Sequence, residues 1–399
     1  MEAANELNDR LARVAVEYAV NVQPDQVLLV NCDYGQHDLV RAIARHAYTR
    51  GARFVDVSWF DPHLKRIRVE HAREETLDYV PPWYGQRIFG AEEARGARIS
   101  LSGATAPGLL DDLDPERLAK DKLPRVKESF DVINRNTVSW AVVPGPTEPW
   151  ARRVYADADD ALARLWEDIA HVCRLDGGDA VAAWRERFGQ TGEIGRRLTE
   201  LRLDAVHFEG EGTDLTIGLF ATSRWRNANE TTVDGVDFVP NLPSEELTTT
   251  PDPERAEGVV RSTRPLVLAD GTMIDGIEIR FENGRAVSVD AEVGGEALRG
   301  RTSVDEGGRR LGEVALVDRE GRIGPLGTVF YDTLLDENAA SHLALGGAYE
   351  ALVGQEDVER INRSELHLDF MIGSNDVAVT GITRDGARIP VLRDGTWQV

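Results

Sequence analysis

The sequence predicts an α/β protein in two parts. An N-terminal α/β domain with a largely parallel sheet is expected over residues 1–203, and a β-rich α+β C-terminal domain over 204–399. Three observations carry this prediction. Helix-period segments alternate with short apolar runs through the first half, the pattern of a parallel sheet with helical crossovers. From about Ala205 the texture changes to short β-type runs separated by glycine-containing turns. The length, 399 residues, suits two or three domains with a sizeable core.

Leu7, Leu11, Val14 and Tyr18 recur at helical spacing, so Asn5 to Val20 reads as an amphipathic helix. Val27-Leu28-Leu29-Val30 has the length of a buried strand. Val40, Ile43, Ala44 and Ala47 share one side of a helix from His37 to Arg50, which Gly51 stops. Arg53 to Phe60, Arg98 to Ser102 and Val138 to Val143 read as further strands, the last ended by Pro144-Gly145-Pro146. Helices are expected over Ala158 to Leu175 and Asp179 to Leu203. No Gly-x-Gly fingerprint follows the first strand, which argues against a bound dinucleotide. In the second part, Ala205 to Phe208 and Asp214 to Phe220 read as strands. Gly276 to Phe281 and Arg285 to Asp290 form a hairpin around Asn283-Gly284. Asp376 to Thr380 and Arg388 to Leu392 close the chain, with turns at Asp385-Gly386 and Asp394-Gly395.

Composition narrows the function. Hydrophobic residues make up 42 % and charged residues 29 %, ordinary for a folded soluble domain. No apolar run approaches bilayer length, and the first residues lack a basic and apolar leader pattern, so neither a membrane nor secretion is expected. With 46 basic against 69 acidic residues the net charge is −23, a field that repels phosphate backbones and gathers cations. Nucleic acid is therefore not an expected partner. The two cysteines, Cys32 and Cys173, exclude a disulfide scaffold and a thiolate zinc site, and fit a cytoplasmic setting.

Chemistry concentrates in the C-terminal part. In the run His367 to Ser374, His367 and Asp369 lie two apart and share one face of a strand, while Leu368 and Phe370 take the other. Alone, such a pair is more often a buried hydrogen bond. Phe330 to His342 ends a strand-like run, crosses an acidic turn and enters an Ala/Leu/Gly-rich segment read as a helix. Asp336 or Asn338 is expected to cap it, and His342 and Tyr349 to share one side at i and i+7. Glu313 sits alone in the apolar run Leu311 to Val317, where an unpaired carboxylate needs a cation. Arg309 and Arg310 are the plain candidates for that partner. Of the adjacent pair Glu245 and Glu246, an extended chain can present only one to a shared site.

Carboxylate and imidazole groups without thiolates suit hard or borderline divalent ions, and five of them suit two ions bridged by a carboxylate. Such a pair can polarise a carbonyl and ready a water, with a nearby glutamate moving the proton and a tyrosine hydroxyl steadying the oxyanion. No HExxH, G-x-S-x-G or P-loop pattern competes with this.

Five segments carry a resemblance. GTDLTIGL (Gly212 to Leu219), NLPSEE (Asn241 to Glu246), RRLGEVALV (Arg309 to Val317), FYDTLLDENAASHLALGGAY (Phe330 to Tyr349) and HLDFMIGS (His367 to Ser374) occur in this order. The chain resembles the aminopeptidase T / aminopeptidase S (PepS) family of dinuclear metalloaminopeptidases over essentially its whole length. The resemblance implies metal ligands at Glu246, Glu313, His342, His367 and Asp369, with Glu313 as the bridge, and an active-site tyrosine at Tyr349. It makes the C-terminal domain the metal-binding, catalytic one. Glu246 is taken as the ligand and Glu245 as a candidate general base; Glu337 is a further candidate, either as ligand or as partner of the ligands. The family also implies two divalent ions (zinc, cobalt or magnesium), peptide substrates with broad N-terminal preference, and a homodimer enclosing a cavity.

Two other functions compete with this. Ring-cleaving dihydroxypyridine dioxygenases are similar at a distance and use iron held by two histidines and one carboxylate, which His342, His367 and Asp369 would satisfy. That chemistry leaves Glu246 and Glu313 without a task. A purely structural metal or polar core would not need so many oxygen ligands.

Overall fold

The computed structural model describes residues 2–124, 126–268, 272–373 and 376–399. Ser374, at the end of the last quoted segment, lies outside them. Two compact units emerge: residues up to Arg185 with Asn229–Pro243, and Glu186–Ala228 with Ser244–Val399.

The first unit holds a four-stranded sheet in the order Phe54–Phe60, Val27–Asp33, Ala97–Ser102, Ser139–Pro144. Every pairing in it is parallel, as the strand–helix alternation predicts. The first helix runs Glu2–Val14 and continues as a π-turn over Ala15–Ala19, close to the range its apolar spacing suggests. The His37–Thr49 helix buries Leu39, Val40, Ala42, Ile43 and Ala47, and Gly51 follows with φ +91°, a conformation glycine adopts without strain.

In the second unit an eight-stranded sheet runs Arg285–Asp290, Glu278–Glu282, Pro251–Arg261, Thr213–Leu219, Ala205–Gly210, Ala378–Ile382, Arg388–Arg393, Thr396–Trp397. The hairpin at Asn283-Gly284 is present, with both residues at positive φ (49° and 75°), the backbone a two-residue type I′ turn demands. A second, antiparallel sheet takes the order His367–Met371, His342–Gly346, Leu311–Val317, Glu246–Thr249. The two sheets share a core: Phe208, Ile217 and Val379 from the first meet Leu247, Val314, Leu316, Leu343, Leu345, Leu368 and Phe370 from the second.

One expectation fails here. Residues 339–349 do not form a helix: a short Thr333–Glu337 helix stops at Asn338, and His342–Gly346 is a central strand, buried throughout. Helix-favouring Ala and Leu are overruled by the period-2 pattern of Leu343 and Leu345 into the core and by glycines at 346 and 347, Gly346 having φ +107°. Asp336 and Asn338 therefore cap no helix carrying His342. Asp336 instead accepts from the backbone N–H groups of Phe330 (2.8 Å) and Asp332 (3.1 Å), and burial pushes its carboxyl up to about 7.

Candidate metal centre

The four-stranded sheet brings the ligand candidates together by register. Leu247, Val314, Leu316, Leu343, Leu345, Leu368 and Phe370 face the core, so alternation sends Glu246, Thr248, Glu313, His342, His367 and Asp369 to the opposite face. Across the strands, Val317 pairs with Glu246, Ala315 with both Thr248 and His342, and Ala344 with both Glu313 and Asp369. The middle of the face is thus floored by Ala315, Ala344 and Gly346, which leave room above them.

Glu313 reaches this face through a bulge. The pairing shifts between Leu311 and Glu313, and Gly312 sits at the shift, where a Cβ would run into the carbonyl oxygens of Gly346 and Gly347. The expected partners Arg309 and Arg310 do not serve Glu313. Arg310 donates to the Pro253 carbonyl (2.9 Å) and Arg309 to the Ser303 hydroxyl (3.3 Å). Glu313 meets His367 Nε2 at 3.2 Å and accepts a hydrogen bond from the Thr248 hydroxyl. Thr248 carried no functional signal except its i+2 spacing from Glu246.

Both histidines are oriented in the same way. His342 Nδ1 lies 3.1 Å from the Ala340 carbonyl and His367 Nδ1 lies 2.9 Å from the Gly347 carbonyl, so each donates there. Each Nε2 then turns toward carboxylates: His342 to Glu246 at 3.1 Å, His367 to Glu313 and to Asp369 at 3.4 Å. A backbone carbonyl fixing one ring nitrogen while the other is presented is the usual support of a metal-binding imidazole. Tyr349 comes back to the site after the Gly346-Gly347 turn, its hydroxyl 3.3 Å from His367 Nε2.

The site holds more negative charge than its protein partners balance. Burial raises Glu246, although His342 opposes it, and burial with Asp369 and Glu246 raises Glu337 well above the usual range. Burial alone would lower both histidines. Glu246 nevertheless lifts His342 to about 10, and Asp369 with Glu313 lifts His367 well above its ordinary value. Burial also works against the Asp369 carboxylate, yet His367 keeps it below the usual range. Glu313, then burial, raises the Tyr349 hydroxyl well above its ordinary value, so it keeps its proton.

Divalent cations fit this donor set. Ligand atoms of Glu313, His367 and Asp369 all lie within 4.8 Å of one another, and buried Asp369 Oδ1 makes no hydrogen bond, having only the His367 Nε2 ion pair at 3.4 Å beside it. A buried carboxylate oxygen left short of hydrogen bonds among acidic neighbours is what a cation would satisfy. Neither Cys32 nor Cys173, both buried, is among these donors.

Glu245 is drawn into a different constellation, against its expected role as base. Its Oε2 accepts from Arg187 Nε at 2.7 Å, and its backbone N–H donates to Asn338 Oδ1 at 2.8 Å. Glu337 remains as a carboxylate that feels the charges of Asp369, Glu246 and Glu313. Sequence reasoning missed Arg187, which lies in no recognisable spacing, and named Asn338 only as a helix cap, not as the partner of the Glu245 backbone.

The model of the family described as Thermophilic metalloprotease (M29) matches residues 4–397. Aminopeptidase T from Thermus thermophilus is 40 % identical over the full length of both chains. The solved wild-type AmpT from Thermus thermophilus superposes with a TM-score of 0.92 at 38 % identity, covering 100 % of each chain. The 2,5-dihydroxypyridine dioxygenase from Pseudomonas putida KT2440 shares the fold, with a TM-score of 0.54, 13 % identity, and coverage of 98 % of this chain and 96 % of that one. A match that runs nearly end to end, with the strands of the candidate site inside it, means that this chain belongs to the thermophilic metalloprotease (M29) family.

Proposed function

We propose that this protein is a metalloaminopeptidase that hydrolyses the N-terminal peptide bond of short peptides with the help of two divalent ions. The observation that carries the reading is the single sheet face on which Glu246, Glu313, His342, His367 and Asp369 converge. Glu246 and His342 would hold one ion, His367 and Asp369 the other, with Glu313 shared. Zinc, cobalt and magnesium all suit such ligands. Ions held there supply Lewis acidity toward the scissile carbonyl and toward water.

The chain's own groups do the rest. Glu337, placed among the acidic ligand candidates, would accept the proton of the attacking water and pass it to the nitrogen that leaves as the C–N bond breaks. Tyr349, kept protonated by its acidic neighbours, donates a hydrogen bond to the carbonyl oxygen as negative charge develops on it. The carboxylate-rich face attracts a free N-terminal ammonium group, which favours cleavage at a chain end. Two buried cysteines that form no disulfide, and the net charge of −23, support a cytoplasmic setting without nucleic acid. Among the described residues no helix is long and apolar enough to cross a membrane. A homodimer belongs to the same reading.

The dioxygenase alternative needs only three of the five ligands and leaves Glu246 and Glu313 buried without a role. With zinc, cobalt or magnesium supplied, purified protein should release the first residue of leucyl or arginyl amides. EDTA should stop this, and Glu313→Gln should be inactive while remaining folded. No turnover across a broad amide panel, or one iron per chain with ring cleavage, would sink the proposal.

A further inference from the structure

One buried amide joins the segment that ends in Glu337 to the strand entry that leads to Glu246. Asn338 is 0 % exposed. Its Nδ2 donates to the Leu334 carbonyl at 3.1 Å, closing the Thr333–Glu337 helix, and its Oδ1 accepts from the Glu245 backbone N–H at 2.8 Å. Asn338 is the residue after Glu337, and Glu245 is the residue before Glu246. The amide therefore bridges the immediate neighbours of two site carboxylates that lie far apart in the sequence.

Glu245 is itself anchored. Arg187, on the Ala180–Glu200 helix, donates from Nε to Glu245 and from its two terminal nitrogens to Asp318 at 3.2 and 2.6 Å. Asp318 also accepts from Trp397 Nε1 at 2.5 Å and from the Gly321 N–H at 3.2 Å. Arg187, Glu245, Asp318 and Asn338 are each no more than 6 % exposed. Apolar side chains of similar volume would fill this space with less desolvation. They would not fix the distance between two chain segments, which directional hydrogen bonds do.

We propose that Asn338, backed by the Arg187–Glu245–Asp318 network, is a positioning residue that holds the metal ligand Glu246 in place relative to Glu337. The inference rests on the metal reading above. It makes the backbone around Glu246 rigid before an ion arrives, so ion affinity depends on a side chain that touches no ion.

The test uses metal-free full-length protein and zinc, with affinity read by competition against a chromophoric chelator and folding by denaturant titration. Asn338→Leu should weaken zinc binding by about 10–100-fold, and should lower kcat with KM little changed. Leu298→Ala, a core truncation on the Gly295–Arg301 helix, should lower the unfolding midpoint and leave zinc affinity as it was. Should Asn338→Leu fail to fold, Glu245→Gln takes its place, with an expected loss of about tenfold. Wild-type affinity in the folded variant, or an equal loss in Leu298→Ala, would overturn the clamp alone. Wild-type protein that bound no divalent ion would overturn the metal reading and the clamp with it.

Discussion

At the scale of single residues, chemistry follows from which atom is already engaged. His342 and His367 each spend Nδ1 on a carbonyl, so only Nε2 is left for the site. Glu245 and Glu246 differ by one position and by everything that matters: one is locked to Arg187, the other faces His342. Glu337 and Tyr349 are separable by mutation. Glu337→Gln should lower kcat by about 10²–10⁴-fold, the usual worth of a positioned proton carrier. Tyr349→Phe should lower it by about 10²–10³-fold, as loss of one oxyanion donor does. In both, steady-state kinetics at saturating metal should show KM little changed. Wild-type kcat in Glu337→Gln would remove it from the proton path.

At the scale of elements, the candidate metal face exists because four strands keep a shared register. The bulge at Gly312 is the point where that register is adjusted, and it aims Glu313 beside Asp369 across Ala344. A methyl group at position 312 meets two backbone carbonyls rather than a side chain that can turn away. Gly312→Ala should therefore shift the strand, lose metal-dependent turnover and lower stability by about 1–3 kcal/mol, as overpacking does. Activity and urea unfolding measured together check this; wild-type values for both would show that the bulge is not needed. The failed helix at 339–349 has the same origin. Ala and Leu favour a helix locally, but the chain between two antiparallel partners gains more by pairing and by burying Leu343 and Leu345.

At the scale of the whole molecule, the acidity of the chain meets the charge of its site. Without metal, the neighbouring carboxylates push His342 up to about 10 and lift His367 well above its ordinary value, which favours the protonated imidazoles at neutral pH. A metal ligand must be the neutral imidazole, so an ion entering the site displaces protons. The sign follows: apparent affinity rises with pH above neutrality and falls as the solution is acidified. Zinc added to metal-free protein near pH 7.5 in weak buffer should release about one to two protons per chain, read with an indicator dye. Binding with no proton release would contradict the arrangement of the histidines.

By itself the sequence determined the alternation that makes a parallel sheet, the switch to β texture near Ala205, the Asn283-Gly284 hairpin and the candidate ligand types. These signals are local, set by period, turn chemistry and residue class over a few neighbours. The tertiary structure decided that residues 342–346 are a strand, that Glu313 answers to Thr248 and His367 rather than to Arg309 or Arg310, and that Glu245 belongs to Arg187. Those outcomes depend on partners as far as 65 residues away in the sequence. Only the folded chain gives such groups a common low-dielectric space, where one unsatisfied charge outweighs any local preference.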